Sequence, residues 1–189
     1  MYTTSISLLE RLSQRSYSPE AWSDFVTLYT PLLHSWASRL GVPQSDVGDL
    51  VQEVFLILLR KLPEFRYIEG PCGSFRGWLR TVLVNKWREL NRRKALPVDH
   101  ISAANEATVD DWVEEFTEQE YRQELMRQAL LMMQQEFQPQ TWQACWQHVI
   151  LGRAANEVAT ELGTTAGAVR VASSRVLARL RQLLRGFLD

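Results

Sequence analysis

Apolar residues recur every three to four positions along most of this chain, and strand-like alternation of apolar and polar positions is scarce. That period is helical. It predicts helices over 5–16 and 19–40, the second carrying Trp22, Phe25, Val26, Tyr29, Leu32, Leu33, Trp36 and Leu40 on one stripe. Gly41-Val42-Pro43 breaks the pattern, and a helix from about Asp46 to Leu62 follows, stopped or kinked by Pro63. Asp46 with Asp49 three residues on has the spacing of a capping box, with Asp in the usual Glu position. Gly70, Pro71 and Gly73 mark 66–74 as a loop. Ser74 is placed to cap a helix over 75–94, and Pro97 lies just past its end. The pattern resumes over 118–137, is interrupted at Gln138-Pro139, and continues over 140–151 with Trp142 and Trp146 one turn apart.

The last unit has the most specific local pattern. Ala155, Val158, Ala159 and Leu162 form one stripe, Gly163 can take the left-handed conformation that ends a helix, and Thr164 or Thr165 can cap the next. In that next helix Val169, Ala172, Val176, Leu180, Leu183 and Leu184 face inward. Two helices about a short Gly-containing turn, with arginines on the outside of the second, is a helix-turn-helix pattern. It points Thr165, Ala166, Gly167, Arg170, Ser173, Ser174 and Arg175 at bases or phosphates. An ordinary helical hairpin with solvated arginines would show the same spacing.

Composition narrows the class. The 189 residues are 46% hydrophobic with nine Gly and seven Pro, enough to bury a core in one ordinary domain or two small ones, and all-α. Cys72 and Cys145 stand far apart in unlike contexts, which is neither a disulfide framework nor a metal spacing, and a reduced cytoplasmic setting fits. The N-terminal residues lack a basic segment followed by an apolar one, so no signal peptide is expected. The uncharged run 54-VFLILL-59 falls far short of a membrane span. No internal repeat is visible.

Net charge is −1, but its distribution is uneven. Residues 75–94 hold seven Lys/Arg and one acid, 95–120 eight acids and no Lys or Arg, and 151–189 six Arg and three acids. In 75–94, Phe75, Trp78 and Trp87 are interleaved with the cations, an arrangement suited to unstacked nucleic acid, although rings at helical spacing are more often core, Phe75 above all. Residues 95–117 read as an acidic linker. Asp46, Asp49 and Glu53 share one helical face and repel one another by a few tenths of a kcal/mol per pair. The helix dipole accounts for the first two acids and poorly for Glu53. His34, His100 and His148 lie in unrelated contexts, so no metal, cofactor or catalytic set is expected. The acidic face with Gln52 reads instead as a docking surface for a basic partner.

At these residues a family comes into view. The segments 49-DLVQEVFLILLRKLPEF-65 and 75-FRGWLRTVLVNKWRELNRRK-94 together resemble region 2 of the bacterial sigma-70 family. The segment 152-GRAANEVATELGTTAGAVRVASSRVLARLRQLL-184 resembles region 4, and the short layout resembles the extracytoplasmic-function (ECF) group. The resemblance covers most of 20–186 in order and spacing. It implies two small helical domains, a region 2 bundle over 1–94 and a region 4 helix-turn-helix over 118–189, joined by the acidic linker 95–117. Asp49, Gln52, Glu53 and Phe55 would dock on the β′ clamp helices of core RNA polymerase. The loop 66–74 and Trp78, Asn85, Lys86, Arg88, Arg92 and Arg93 would melt and read the promoter's −10 element. The C-terminal unit would read the −35 element and touch the β flap, while the linker would thread toward the RNA channels. Ser173 stands where many relatives carry a basic residue, a loss of about one phosphate contact. An anti-sigma factor is a common partner in the group, and no residue here demands one.

Two other classes compete. A stand-alone helix-turn-helix regulator would need a dimerisation element to match paired half-sites. No sustained heptad is present, and the basic helix 75–94 has no use in that scheme. An enzyme would need a supporting His, a nucleophile motif or a Gly-rich phosphate loop beside the acids of 46–53.

Overall fold

A computed structural model describes residues 8–12, 19–65, 75–94, 118–185 and 187. The loop 66–74, the cap Ser74, the linker 95–117, Cys72, His100 and the side chain of Arg93 lie outside the described residues. All regular elements among the described residues are helical, so the chain is all-α. Helix α1 is Leu8–Leu12, α2 Pro19–Arg39, α3 Gln44–Lys61, α4 Phe75–Lys94, α5 Glu118–Glu136, α6 Pro139–Cys145, α7 Ala155–Glu161 and α8 Ala166–Leu184. A 3₁₀ turn, Leu62–Glu64, carries Pro63 directly after α3, and a π-helical turn, Trp146–Ile150, follows α6.

Local chemistry sets the helix ends. Gly41 and Gly163 both have positive φ, 73° and 63°. Each lets the chain double back: Val42 N–H donates to the Ala37 carbonyl at 3.2 Å and Thr164 N–H to that of Ala159 at 2.9 Å, the Schellman closure of a helix. Thr165 then caps α8, its hydroxyl oxygen accepting from Ala168 N–H at 3.1 Å. The capping box predicted at Asp46 does not form. Helix α3 starts two residues earlier, after Pro43, with no side-chain cap. Asp46 is thereby inside the first turn, its N–H bonded to the Pro43 carbonyl at 2.8 Å and its carboxylate accepting from the Ser45 hydroxyl.

Helices α2, α3 and α4 pack side by side. Phe25, Leu28, Tyr29, Leu32, Leu33 and Trp36 from α2 meet Val47, Leu50, Val51, Val54 and Leu58 from α3 and Phe75, Leu79 and Leu83 from α4. Each side chain of this size buried stabilises by about 1.5–3 kcal/mol. The same cluster continues into the C-terminal half through Tyr121, Leu125, Ala129 and Met133 of α5, Val176, Leu183 and Leu184 of α8, and Phe187. A smaller cluster of Ala144, Ala155, Val158, Ala159 and Val169 holds the helix-turn-helix together.

Candidate nucleic-acid and protein interfaces

Helix α3 is buried except along one stripe. Asp49 and Gln52 are exposed and Glu53 is partly so, and one turn further on Leu56 is 49% exposed. These four positions fall three or four residues apart and so share a face. Phe55 does not belong to it. It is 9% exposed, with its ring 6.1 Å from those of both Trp22 and Phe25. The spacing from Asp49 leads to Leu56, a signal present in the sequence and passed over in favour of Phe55. Nor does Glu53 wait wholly for an external cation. Its carboxylate lies 3.2 Å from Lys86 Nζ of α4, which also meets Glu89 at 3.4 Å.

The Lys86 side chain is only 10% exposed, so it acts as a strut between α3 and α4 more than as part of a nucleic-acid surface. The outward stripe of α4 consists of Thr81, Asn85 and Arg92, with Arg88 partly buried. Thr81 was missed by the sequence reading, although it lies four residues before Asn85. Its hydroxyl donates to the Gly77 carbonyl at 2.9 Å. Trp78 is partly buried, 4.9 Å from Phe65 and 5.7 Å from Phe75 between ring centroids. It lines the mouth of the core where α4 meets the turn after α3.

The helix-turn-helix presents Thr165, Gly167, Arg170, Ser174 and Arg175 to solvent, with Ala166 half-buried. Ser173 is removed from this set. It is 4% exposed, on the inner stripe between Val169 and Val176, and its hydroxyl donates to the Val169 carbonyl at 2.9 Å. Its other neighbour is Cys145 of α6, whose thiol is pushed up by burial while the hydrogen bond with Ser173 opposes that shift. The outer face instead includes Val171, half exposed between Gly167 and Arg175. An aliphatic group there suits the methyl of a thymine.

A further surface follows α6. In the π-helical turn Leu151 N–H reaches back five residues to the Trp146 carbonyl at 3.1 Å. The wide turn leaves Trp146, Val149, Ile150 and Leu151 exposed together. Beside them is an open cleft of about 740 Å³ lined by Trp142, Trp146, Leu151, Arg153, Glu161 and Leu162 among others. Arg153 pairs with Glu161 and Gln147 across it and holds the Glu161 carboxyl below its usual range. Turns of this type recur at functional sites. Nothing in the 140–151 pattern distinguished this turn from ordinary helix.

Sigma-70 region 2 matches residues 25–96. The ECF RNA polymerase sigma factor SigE of Mycolicibacterium smegmatis is 28% identical over 174 residues, 89% of this chain and 62% of that protein. Over residues 25–96 the chain thus matches sigma-70 region 2, and over most of its length it is similar to an ECF sigma factor. Two other sigma-70 relatives align over shorter stretches. The RNA polymerase sigma factor CnrH of Cupriavidus metallidurans is 32% identical over 77 residues, 41% of this chain and 38% of that protein. NccH of Alcaligenes xylosoxydans xylosoxydans is 33% identical over 91 residues, 47% of each. The matches thus span 62%, 38% and 47% of the length of these sigma factors. A solved structure of CnrH in complex with the cytosolic domain of CnrY matches at 25% identity over 92% of each chain, with a TM-score of 0.37. Among the described residues, no helix is long and apolar enough to cross a membrane, and no group of three or more His, Cys, Asp or Glu is placed to hold a metal ion.

Proposed function

We propose that this chain is a dissociable initiation subunit that binds core RNA polymerase and directs it to promoters, with no catalysis of its own. The observation that carries the reading is the solvent-facing stripe of Asp49, Gln52 and Leu56 on an otherwise buried α3, inside the segment that matches sigma-70 region 2. An acidic stripe with one apolar side chain at its end suits a basic helical surface, and exposed Asp49 with partly exposed Glu53 supplies attraction while Leu56 supplies area. The polymerase's β′ clamp helices would be that partner. Glu53 takes part through its free oxygen, pre-oriented by Lys86.

The unit over 1–94 would read the −10 element along Thr81, Asn85, Arg88 and Arg92, with Trp78 at the edge for a stacked base. The unit over 118–189 would read the −35 element through Arg170, Val171, Ser174 and Arg175, with Thr165, Ala166 and Gly167 at the helix N-terminus near phosphate. The apolar turn at Trp146, Val149, Ile150 and Leu151 would meet the β flap. A stand-alone regulator leaves both the α3 stripe and this turn without a role.

Run-off transcription with purified bacterial core polymerase on a pooled promoter library tests the reading. New start sites that share spaced −35 and −10 elements, dependent on this chain, are the expected result. A folded chain that neither binds core polymerase nor creates new starts would sink it.

A further inference from the structure

The strut between α3 and α4 holds more charge than a tie between two helices needs. Lys86 Nζ faces two carboxylates, that of Glu53 on α3 at 3.2 Å and that of Glu89 on its own helix at 3.4 Å. The Lys86 side chain is 10% exposed, whereas those of Glu53 and Glu89 are 47% and 37% exposed. One sheltered cation is thus divided between two anions that reach the surface. Each anion stands beside a different proposed interface. Glu53 lies four residues after Asp49 and three before Leu56, on the stripe that would meet polymerase. Glu89 lies four residues after Asn85 and three before Arg92, which makes it the neighbour of both on α4. It is the only acid in 75–94, and it borders the stripe that would meet the −10 element.

A carboxylate in that place repels phosphate and so opposes the binding that the surrounding arginines favour. Lys86 offsets Glu89 only to the extent that Glu53 does not claim it. We propose that Glu53, Lys86 and Glu89 form a charge relay between the two interfaces. A polymerase cation that takes up Glu53 lets Lys86 turn wholly to Glu89, and the neutralised Glu89 then no longer repels −10 DNA. This proposal deepens the initiation-subunit reading and rests on it. The movement is small, because the ammonium already lies 3.4 Å from Glu89 and swings on a flexible four-carbon stem. Lys86 itself needs no contact with DNA, in keeping with its sheltered position. Docking and −10 binding then favour each other, and reciprocity requires DNA to tighten polymerase binding by the same factor. Since both carboxylates are part-exposed and screened by water, that factor is a few-fold.

The test uses the full chain in three forms: native, Lys86→Met and Glu89→Gln. Fluorescence anisotropy gives the affinity of each for core polymerase, with and without a single-stranded oligonucleotide carrying the −10 sequence of a start site found by run-off transcription. DNA is expected to tighten polymerase binding by the native chain, and in both variants the gain is expected to be about threefold smaller, with unchanged helical circular dichroism. The two substitutions change net charge in opposite directions. The affinity of the polymerase complex for the oligonucleotide is therefore expected to fall for Lys86→Met and rise for Glu89→Gln, so a simple charge effect cannot lower the gain in both. Variants that keep the full native gain overturn the relay, and so does a native chain whose polymerase affinity DNA leaves unchanged. Should Lys86→Met lose helix, Glu89→Gln decides, because it leaves Lys86 paired with Glu53. If no form binds core polymerase, the initiation reading fails and the relay fails with it. Polymerase binding with an equal gain in all three forms removes the relay alone.

Discussion

Leu56 and Phe55 are neighbours in sequence and opposites in consequence. Phe55→Ala empties space between Trp22 and Phe25 and is expected to cost about 3–5 kcal/mol in urea denaturation. Leu56→Asp is expected to leave stability within about 0.5 kcal/mol and to weaken core polymerase binding at least tenfold in a pull-down titration. Equal stability losses for the two would place Leu56 in the core and out of the interface. Ser173 makes the same point on α8. Ser173→Lys would bring a charge to the inner stripe beside Val169 and Cys145, and a loss of about 2–4 kcal/mol is expected, with no gain in −35 DNA affinity by mobility shift. The resemblance selects Phe55 and the helix-turn-helix pattern selects Ser173, whereas helical angle decides where a side chain points. That angle was legible: Leu56 follows Asp49 by seven positions, and Ser173 lies four after Val169.

At the scale of elements, periodicity located α2 to α5 and the helix-turn-helix to within two or three residues, because apolar stripes, Gly and Pro report directly on helix faces and ends. Gly163 shows why. No atom lies within 4 Å of where a Cβ would stand, so only its φ of 63° makes glycine the fitting residue. Gly163→Ala is expected to cost about 1–2 kcal/mol, read as a lower melting temperature, and Gly163→Asn less. An Ala variant as stable as the native chain would remove the turn from the fold's requirements. Two features escaped the pattern. The Pro43 start of α3 lacks the polar cap that marks a helix N-terminus, and the π-helical turn has no Gly or Pro to set it apart from the helix before it. The Glu53–Lys86 strut was also hidden, since its two residues had been given to different partners and neither stripe shows that α3 and α4 lie close enough to pair.

For the whole molecule, nothing in a one-dimensional pattern shows that Phe187 and Tyr121 close on α2, because those contacts join positions with no shared period. Tyr29 and Tyr121 share a buried hydroxyl–hydroxyl hydrogen bond at 2.9 Å, and the pair gives a measurable signature. Burial, the largest cause, and the partner phenol raise the pKa of Tyr29 well above its ordinary value near 10, and burial likewise raises that of Tyr121. A phenol with a raised folded pKa contributes stability that is complete below the unfolded value and lost as pH climbs toward the folded one. The urea midpoint is therefore expected to hold from pH 8 to about 10 and fall above it, and Tyr29→Phe with Tyr121→Phe is expected to flatten the fall. Absorbance at 295 nm should show two phenols ionising after the others. Ionisation of all tyrosines together near pH 10 would show the pair to be open to solvent.

The contact of Arg179 with Asp24, at 2.8 Å, also bears on how the protein is made. The two are 155 positions apart, and Phe187, whose ring lies 6.1 Å from that of Phe25 and 5.3 Å from that of Tyr29, follows later still. At about 5–20 residues per second, a ribosome needs roughly 8–30 s to synthesise that interval. Throughout it, the aromatic socket of Phe25 and Tyr29 exists without its plug. Each nascent chain thus displays an apolar site to chaperones for longer than local helices take to form. Products of premature termination display it permanently, which gives proteolysis a means of separating unfinished copies from finished ones.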